Sequence, residues 1–308
     1  MTAMMDRCTR RVIVPACAVA VALFGAGCGD DDENGSASGD AAKPVKFAIE
    51  ATANGKRKAL EFPSTVKAGL VTMTLTNSDK VPRSAGIVRL VGDHTVDEFR
   101  EVVSEEGAPI PAWIEDGGGV PTVPPGETVS VTQVLAPGKY AIADDESEEG
   151  ENGKSFADLG AKGEFMVTGE AVDVELPAQP ATLTATDDGG GDDGEYGFEF
   201  KGLKGGTNQV RFENTGEQLH HAIMFPINKG KTIEDAEKAF MEEGPPKGPP
   251  PVAFDKGVGA QVIDGGIAQN LTLELQPATN YAVICFIQDR KGGKPHIAKG
   301  MIEELKVE

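Results

Sequence analysis

Four side chains in the second half of this chain are of the types that bind transition-metal ions. Cys285 is followed at short distance by His296 and Met301, and His220 stands far upstream, next to His221. Thiolate and thioether sulfur combined with two imidazole nitrogens form a soft donor set, which suits one copper ion in an electron-transfer site. The spacing predicts that a strand supplies the early histidine and that one loop region supplies the other three donors.

Each of these residues also has a plainer interpretation. A single cysteine is often a small buried hydrophobe, a methionine often fills a core, and a histidine can lie at a sheet edge. Three of the four histidines nevertheless fall in the pattern with Cys285, and this coincidence favours a metal site. Neighbouring residues of a strand point to opposite faces, so at most one of His220 and His221 is a ligand. The spacing from Asn214 favours His220.

Composition indicates a turn-rich protein of short strands with an acidic surface. The length of 308 residues predicts about two domains. The 39% hydrophobic content is sufficient for ordinary cores, and 39 glycines with 20 prolines indicate many turns between short strands. The formal net charge of -20 without a basic patch argues against nucleic acid as a partner.

Hydrophobic periodicity predicts an all-β fold. Segments 71–75, 129–134 and 271–275 alternate apolar and polar residues, which is the period of a half-buried strand. Thr95 with Glu98 and Thr232 with Asp235 resemble capping boxes, and each predicts one short helix. Antiparallel strands with one inserted helix in each half indicate Greek-key β-sandwiches.

The two halves of the chain are diverged copies of one another. Four pairs of short segments match: 75–77 with 212–214, 95–98 with 232–235, 137–140 with 278–281, and 161–163 with 298–300. In the first, second and fourth pairs the separation is the same, 137 residues. We therefore predict two tandem domains, at 44–169 and 170–308.

The first copy lacks the metal-binding side chains. The same separation places Arg83 opposite His220, and it places Leu159 and Glu164 opposite His296 and Met301. The match of 137–140 with 278–281 places Asp144 opposite Cys285, at a separation of 141 residues. Leucine cannot bind a metal ion and arginine stays cationic. The first half is therefore predicted to be metal-free, and an ion pair between Arg83 and Asp144 is a hypothesis for what occupies the corresponding position.

The second half resembles the plastocyanin-like cupredoxins, the blue type 1 copper proteins. The matching residues are Asn214, Gly216, His220, Tyr281, Cys285, Pro295, His296, Gly300 and Met301. The resemblance implies that His220 and His296 are the imidazole ligands of one copper ion, Cys285 the thiolate ligand and Met301 the axial ligand. His296 follows Cys285 by eleven residues, because eight residues (286–293) lengthen this loop beyond the plastocyanin pattern.

The N-terminus is typical of an exported bacterial lipoprotein. Residues 1–27 combine arginines 7, 10 and 11 with an apolar stretch from Val12 to Phe24, and small residues precede Cys28. This predicts a signal peptide, lipidation of Cys28 and an acidic flexible tether over 28–43. The alternatives are an ordinary cleaved signal peptide and a short membrane anchor. Loss of Cys8 and Cys17 and lipidation of Cys28 would leave Cys285 as the one free thiol, without a disulfide partner.

These predictions combine into an extracytoplasmic, membrane-anchored lipoprotein with two cupredoxin-like sandwiches. The second sandwich is expected to bind one copper ion and to exchange single electrons with an extracytoplasmic redox protein. The alternatives are a metal-free binding module and a protein for copper capture and delivery. The sequence contains no nucleophile elbow, phosphate loop or HExxH motif, so we expect no enzymatic activity.

Overall fold

The computed structural model describes residues 43–105, 107–147, 154–191, 194–242 and 248–308. Within these ranges the chain forms seventeen β-strands and two short α-helices, so the predicted all-β class with one short helix in each half is confirmed. The predicted signal peptide (1–27), Cys28 and all but the last residue of the tether (28–43) lie outside the described residues. No helix of the described ranges is long and apolar enough to cross a bilayer.

The described part of the first half contains nine strands and one helix. They are β1 (Val45–Asn54), β2 (Arg57–Glu61), β3 (Thr65–Lys67), β4 (Gly69–Asn77), β5 (Arg83–Leu90), α1 (Val96–Ser104), β6 (Ile114–Val123), β7 (Thr128–Leu135), β8 (Gly138–Ala143) and β9 (Lys162–Thr168).

The described part of the second half contains eight strands and one helix. They are β10 (Ala181–Asp187), β11 (Tyr196–Lys201), β12 (Gly206–Asn214), β13 (His220–Pro226), α2 (Ile233–Met241), β14 (Val258–Ile263), β15 (Ala268–Leu275), β16 (Asn280–Ile284) and β17 (Ile302–Lys306). Short 3₁₀ turns lie at Phe254–Lys256 and His296–Lys299.

The strand order shows the duplication directly. One sheet has the order β11-β10-β12-β15-β7-β4-β1-β2, and the other has the order β17-β16-β13-β14-β6-β5-β8-β9-β3. In the first sheet, strands β7, β4, β1 and β2 of the first half correspond in order to β15, β12, β10 and β11 of the second half. In the other sheet, β6, β5, β8 and β9 correspond to β14, β13, β16 and β17, and β3 is an additional strand of the first half. The chain passes from one sheet to the other between β4 and β5, and again between β6 and β7. Each half is therefore a Greek-key sandwich of two sheets.

Both sheets continue from one half into the other. Strands β15 and β7 pair antiparallel through Gln269 with Gln133 and Asn270 with Thr132. Strands β14 and β6 pair at Ile263 and Gly117. These pairings cover strand edges that would otherwise present unpaired backbone groups. The predicted domain boundary between residues 169 and 170 falls after β9 and before β10, and it stays a prediction.

The local sequence signals account for these elements. In β4 and β15 the apolar residues of the alternating pattern, such as Met73 and Leu273, are buried in one core between the two sheets. Both helices begin at the predicted capping boxes, where the side chains of Thr95 and Thr232 each accept a hydrogen bond from the third helical residue. A capping box satisfies two otherwise unpaired backbone donors, which fixes where each helix starts.

Two equivalent asparagines end the equivalent strands β4 and β12. The Asn77 side-chain amide donates to the carbonyls of Val81 and Val123. The Asn214 side-chain amide donates in the same way to the carbonyls of Gln218 and Ile263. In each half the asparagine thus closes the turn into the next strand and joins the two sheets. In the second half, the strand reached by that turn begins at His220.

Candidate metal centre

Strand order brings the four predicted donor residues together at one end of the second sandwich. His220 is the first residue of β13, and Cys285 directly follows β16, which pairs antiparallel with β13. His296 opens the 3₁₀ turn His296–Lys299, and Met301 lies between that turn and β17. All four are fully buried. The early histidine therefore comes from a strand and the other three donors from the segment that joins β16 to β17.

Three donor atoms converge on one point. The Cys285 Sγ lies 3.6 Å from His220 Nδ1 and 3.5 Å from His296 Nδ1, and the two Nδ1 atoms are 3.1 Å apart. The possible ligand atoms of His220, Cys285 and His296 all lie within 4.8 Å of one another. In the described ranges, no other group of three histidine, cysteine, aspartate or glutamate residues is as close together. Two imidazole nitrogens and one sulfur at these separations can be spanned by a single ion with bonds of the usual 2.0–2.3 Å.

Backbone hydrogen bonds hold Met301 beside this cluster. Its amide donates to the His296 carbonyl over 2.9 Å, and its carbonyl accepts from the Cys285 amide over 3.3 Å. The amide of Ile297 donates to the Cys285 carbonyl over 2.8 Å. The segment that carries His296 and Met301 is thus tied to Cys285 along its backbone.

The adjacent His221 does not face the cluster. Its Nε2 accepts a hydrogen bond from the Phe286 amide at 2.8 Å, and its ring meets that phenylalanine edge-on, with the centroids 6.0 Å apart. Burial lowers the pKa of His221 to about 3, so this imidazole is a neutral acceptor. His221 holds the residue that follows Cys285 in place, and His220 is the histidine that faces the other donors.

Each imidazole of the cluster has a carboxylate on its far side. The His220 Nε2 lies 2.9 Å from Asp187 Oδ2, and the His296 Nε2 lies 3.0 Å from Asp289 Oδ1. Tyr196 stacks on the His296 ring with the centroids 4.5 Å apart, and its hydroxyl donates to Asp289. Sequence reasoning missed these partners because no motif singles them out. The one available signal was that Asp289 lies in the loop insertion at 286–293.

The charge states follow from burial and hydrogen bonding. Burial raises the pKa of the Cys285 thiol to about 12 and lowers the pKa of His296 to about 4. Burial opposes ionisation of Asp289, but hydrogen bonds from Lys299, Tyr196 and other donors outweigh it and bring the pKa of Asp289 to about 2. Without a metal ion the cluster therefore contains a protonated thiol and a neutral His296 at pH 7, and a bound cation would displace the thiol proton.

The lengthened loop rests on the first half. The side-chain amide of Gln288 donates to the Ala108 carbonyl at 2.9 Å. The Arg290 carbonyl accepts from the Ile110 amide at 2.8 Å, and the Arg290 guanidinium donates to the Ile114 carbonyl at 3.1 Å. The eight extra residues thus form a contact with segment 107–114 of the other half.

The first half has an ion pair at the position equivalent to the cluster. Arg83 opens β5 as His220 opens β13, and Asp144 follows β8 as Cys285 follows β16. The Arg83 Nε donates to Asp144 Oδ2 at 2.5 Å, and both side chains are fully buried. The hypothesis of an Arg83–Asp144 pair at this position is therefore confirmed.

The other two predicted equivalences are wrong. The Asp144 amide donates to the Ala161 carbonyl, as the Cys285 amide does to Met301, so Ala161 is the counterpart of Met301 instead of Glu164. By the matching bond from Ala157 to the Asp144 carbonyl, Phe156 is the counterpart of His296 instead of Leu159. The separation between equivalent residues is 137 at Arg83, 141 at Asp144 and 140 at Phe156 and Ala161, because the connecting loops differ in length. Neither phenylalanine nor alanine can bind a metal ion.

Comparisons with known proteins find similarity in solved structures. No protein-family model matches the chain, and no curated protein matches it. A copper nitrite reductase from Nitrosomonas europaea is 17% identical, covering 86% of this chain and 94% of its own, with a TM-score of 0.27. A reduced auracyanin from Roseiflexus castenholzii is 20% identical over 42% of this chain and 100% of its own, with a TM-score of 0.27. Rusticyanin from Thiobacillus ferrooxidans is 18% identical over 42% of this chain and 79% of its own, with a TM-score of 0.28.

The fold is cupredoxin-like in both halves. Similarity at these identities concerns the fold alone. The strand order of this chain, which repeats in its two halves, describes that fold. One prediction is corrected by the comparison. We expected no enzymatic activity, but the copper nitrite reductase, which covers most of this chain, is an enzyme by name. The expectation that the protein has no enzymatic activity is therefore withdrawn.

Proposed function

We propose that His220, Cys285, His296 and Met301 bind one copper ion and that the protein exchanges single electrons with an extracytoplasmic redox protein. The observation that carries this proposal is the convergence of a buried thiol and two Nδ1 atoms within 3.6 Å of one another. Two imidazoles, a thiol and a nearby methionine are the donor set that distinguishes blue-copper sites from zinc, calcium and magnesium sites.

The chain's own residues meet the physical demands of such a site. A bound copper ion would supply a one-electron couple at this point. Strands β13 and β16 fix His220 and Cys285 through sheet pairing, and the backbone bonds of Met301 fix the segment with His296. Because the donors are held by the fold, their positions change little with the charge at the centre, which favours rapid electron exchange. Full burial of the four side chains excludes water from the donor atoms.

Titration of the metal-free protein with copper(II) tests this proposal. A copper(II)–thiolate bond gives intense visible absorption, so we expect a blue or green colour that saturates at one equivalent of copper. Zinc(II) has a filled d shell and serves as a control that should bind without colour. A protein that stays colourless with copper(II) would contradict the proposal, and colour that forms without reversible one-electron reduction would favour copper capture and delivery.

We also propose that lipid on Cys28 anchors the protein to the outer face of a bacterial membrane. Basic residues before an apolar stretch and small residues before Cys28 support this location. We propose that the acidic residues that follow Cys28 act as a spacer between membrane and sandwiches.

Cys28→Ala tests the anchor in the full chain. A single acyl chain binds membranes weakly and several chains bind firmly, so loss of the lipidated cysteine should move most of the protein from the membrane fraction or leave it unprocessed. Fractionation and the mass of the mature protein measure this. Normal processing and unchanged membrane association of Cys28→Ala would refute the anchor, and Cys285→Ala is the matched control that should stay membrane-bound.

A further inference from the structure

The two imidazoles of the cluster are hydrogen-bonded to carboxylates from two separate segments of the second half, the end of β10 and the loop between β16 and β17. We propose that Asp187 and Asp289 are positioning residues that hold His220 and His296 as Nε2–H tautomers, so that both Nδ1 lone pairs point at the metal. The proposal rests on the proposed function, and it concerns residues that no sequence motif marks.

Asp187 is itself fixed. Its carboxylate accepts from the backbone amides of Gly189 at 2.8 Å, Glu217 at 2.9 Å and Gln218 at 3.0 Å, in addition to His220. A Cβ atom at Gly216 would lie 1.7 Å from Asp187 Oδ2, so only glycine admits the carboxylate at this place. This gives a physical reason for the glycine at position 216.

Both carboxylate oxygens of Asp289 accept hydrogen bonds. Oδ2 accepts from Lys299 Nζ at 2.6 Å and from the Gly191 amide at 2.9 Å. Oδ1 accepts from the Tyr196 hydroxyl at 2.7 Å and faces His296 Nε2 at 3.0 Å. The contacts of the neighbouring Gln288 and Arg290 with the first half hold the loop that carries this carboxylate.

The tautomer follows from the chemistry of the partners. An ionised carboxylate has no proton to donate, so an imidazole that bonds to it must donate from Nε2. In a neutral imidazole the other nitrogen, Nδ1, then has a free lone pair, and in both rings Nδ1 is the atom that faces Cys285 Sγ. Carboxylates that orient metal-bound histidines in this way also raise the basicity of the ligand.

Asp289→Asn is expected to reverse the tautomer of His296. The amide oxygen of asparagine should turn toward Lys299 and Gly191, because both of these are donors only. The amide NH₂ would then face His296 Nε2, which must become an acceptor and move its proton to Nδ1. An aspartate-to-asparagine change beside a catalytic histidine produces a wrong tautomer in this manner in serine proteases.

Two measurements test the proposal, one of them without metal. In the metal-free protein, imidazole ¹⁵N shifts should report Nε2–H for His220 and His296, and Nδ1–H for His296 in Asp289→Asn. With copper(II) chloride, Asp289→Asn should weaken binding by about 10–100-fold. Glu195→Gln, which removes an exposed carboxylate near Tyr196, is the matched control and should change neither result.

The outcomes separate this proposal from the proposed function. If the wild type binds no copper but shows both Nε2–H tautomers, the proposed function fails, and only the assignment of the tautomers by the two carboxylates stands. If the wild type shows an Nδ1–H tautomer at either histidine, the positioning role is refuted, and this measurement needs no variant to fold. If Asp289→Asn keeps the Nε2–H tautomer and wild-type copper affinity, the role assigned to Asp289 is refuted.

Discussion

Cys285→Ser is expected to remove essentially all visible absorption from the copper-loaded protein while leaving the fold intact. The colour of a copper(II)–thiolate site arises from charge transfer between sulfur and copper, and a hydroxyl cannot replace it. Cys285 is fully buried, and serine is nearly the same size as cysteine, so we expect the surrounding side chains to keep their positions. Visible absorption and circular dichroism of copper-treated wild type and variant measure the two parts of this prediction.

The adjacent histidines supply a control within the same site. His220→Ala removes a donor that lies 3.6 Å from Cys285 Sγ and should weaken copper binding strongly. His221→Ala removes an imidazole that accepts from the Phe286 amide on the other face of the strand, so the colour should remain. Colour that survives Cys285→Ser, or equal losses for the two histidine variants, would show that copper binds elsewhere.

The residues of the candidate site could be predicted to lie together because their types are rare in this chain. There are four histidines and four cysteines among 308 residues, so a cluster of three histidines with a cysteine stands out. The strand period then restricted the choice between His220 and His221 to one residue, since adjacent side chains face opposite ways. Capping boxes and alternating apolar residues likewise act locally, and the helices and strands they predict are present.

The carboxylate partners could not be predicted for the opposite reason. The chain has 49 acidic residues, and nothing local distinguishes the two that meet the histidines. Asp187 reaches His220 because β10 pairs parallel with β12, and Asp289 reaches His296 through the fold of its own loop. Such contacts depend on tertiary structure, and neither the composition of the chain nor the spacing of its residues predicts which acidic residue will meet which histidine.

The joining of the two halves also lay beyond sequence reasoning. Hydrophobic alternation indicates which face of a strand is buried, but it does not indicate which sheet edges meet. The edge pairs β15 with β7 and β14 with β6 therefore could not be derived from periodicity. The constant separation of 137 residues between matching segments failed in a similar way after the first helix, because the two halves differ in loop length.

Asp144→Ala is expected to lower the free energy of unfolding by about 3–5 kcal/mol, the largest stability effect predicted for this chain. Its carboxylate accepts from Arg83 Nε at 2.5 Å and from the Ser84 amide and hydroxyl at 3.1 and 3.0 Å. Both side chains of the ion pair are fully buried. Asp79 would remain as a carboxylate partner of Arg83. The Arg83 Nε and the Ser84 donors would lose their acceptor in the core, and buried donors without an acceptor are far more costly than a lost surface contact.

Urea unfolding of three variants separates this mechanism from a general effect of mutation. Glu242→Ala breaks the exposed pair with Lys238 and should change stability by less than about 1 kcal/mol. The double variant Arg83→Met with Asp144→Leu removes both charges and fills the volume, so it should recover much of the loss, and Asp79 would still pair with Lys58. A loss below about 1 kcal/mol for Asp144→Ala would contradict a stabilising role for its carboxylate. A double variant as unstable as the single one would contradict the explanation by buried donors left without an acceptor. Recovery in the double variant would mean that the first sandwich needs a filled and neutral centre, with no requirement for a metal ion.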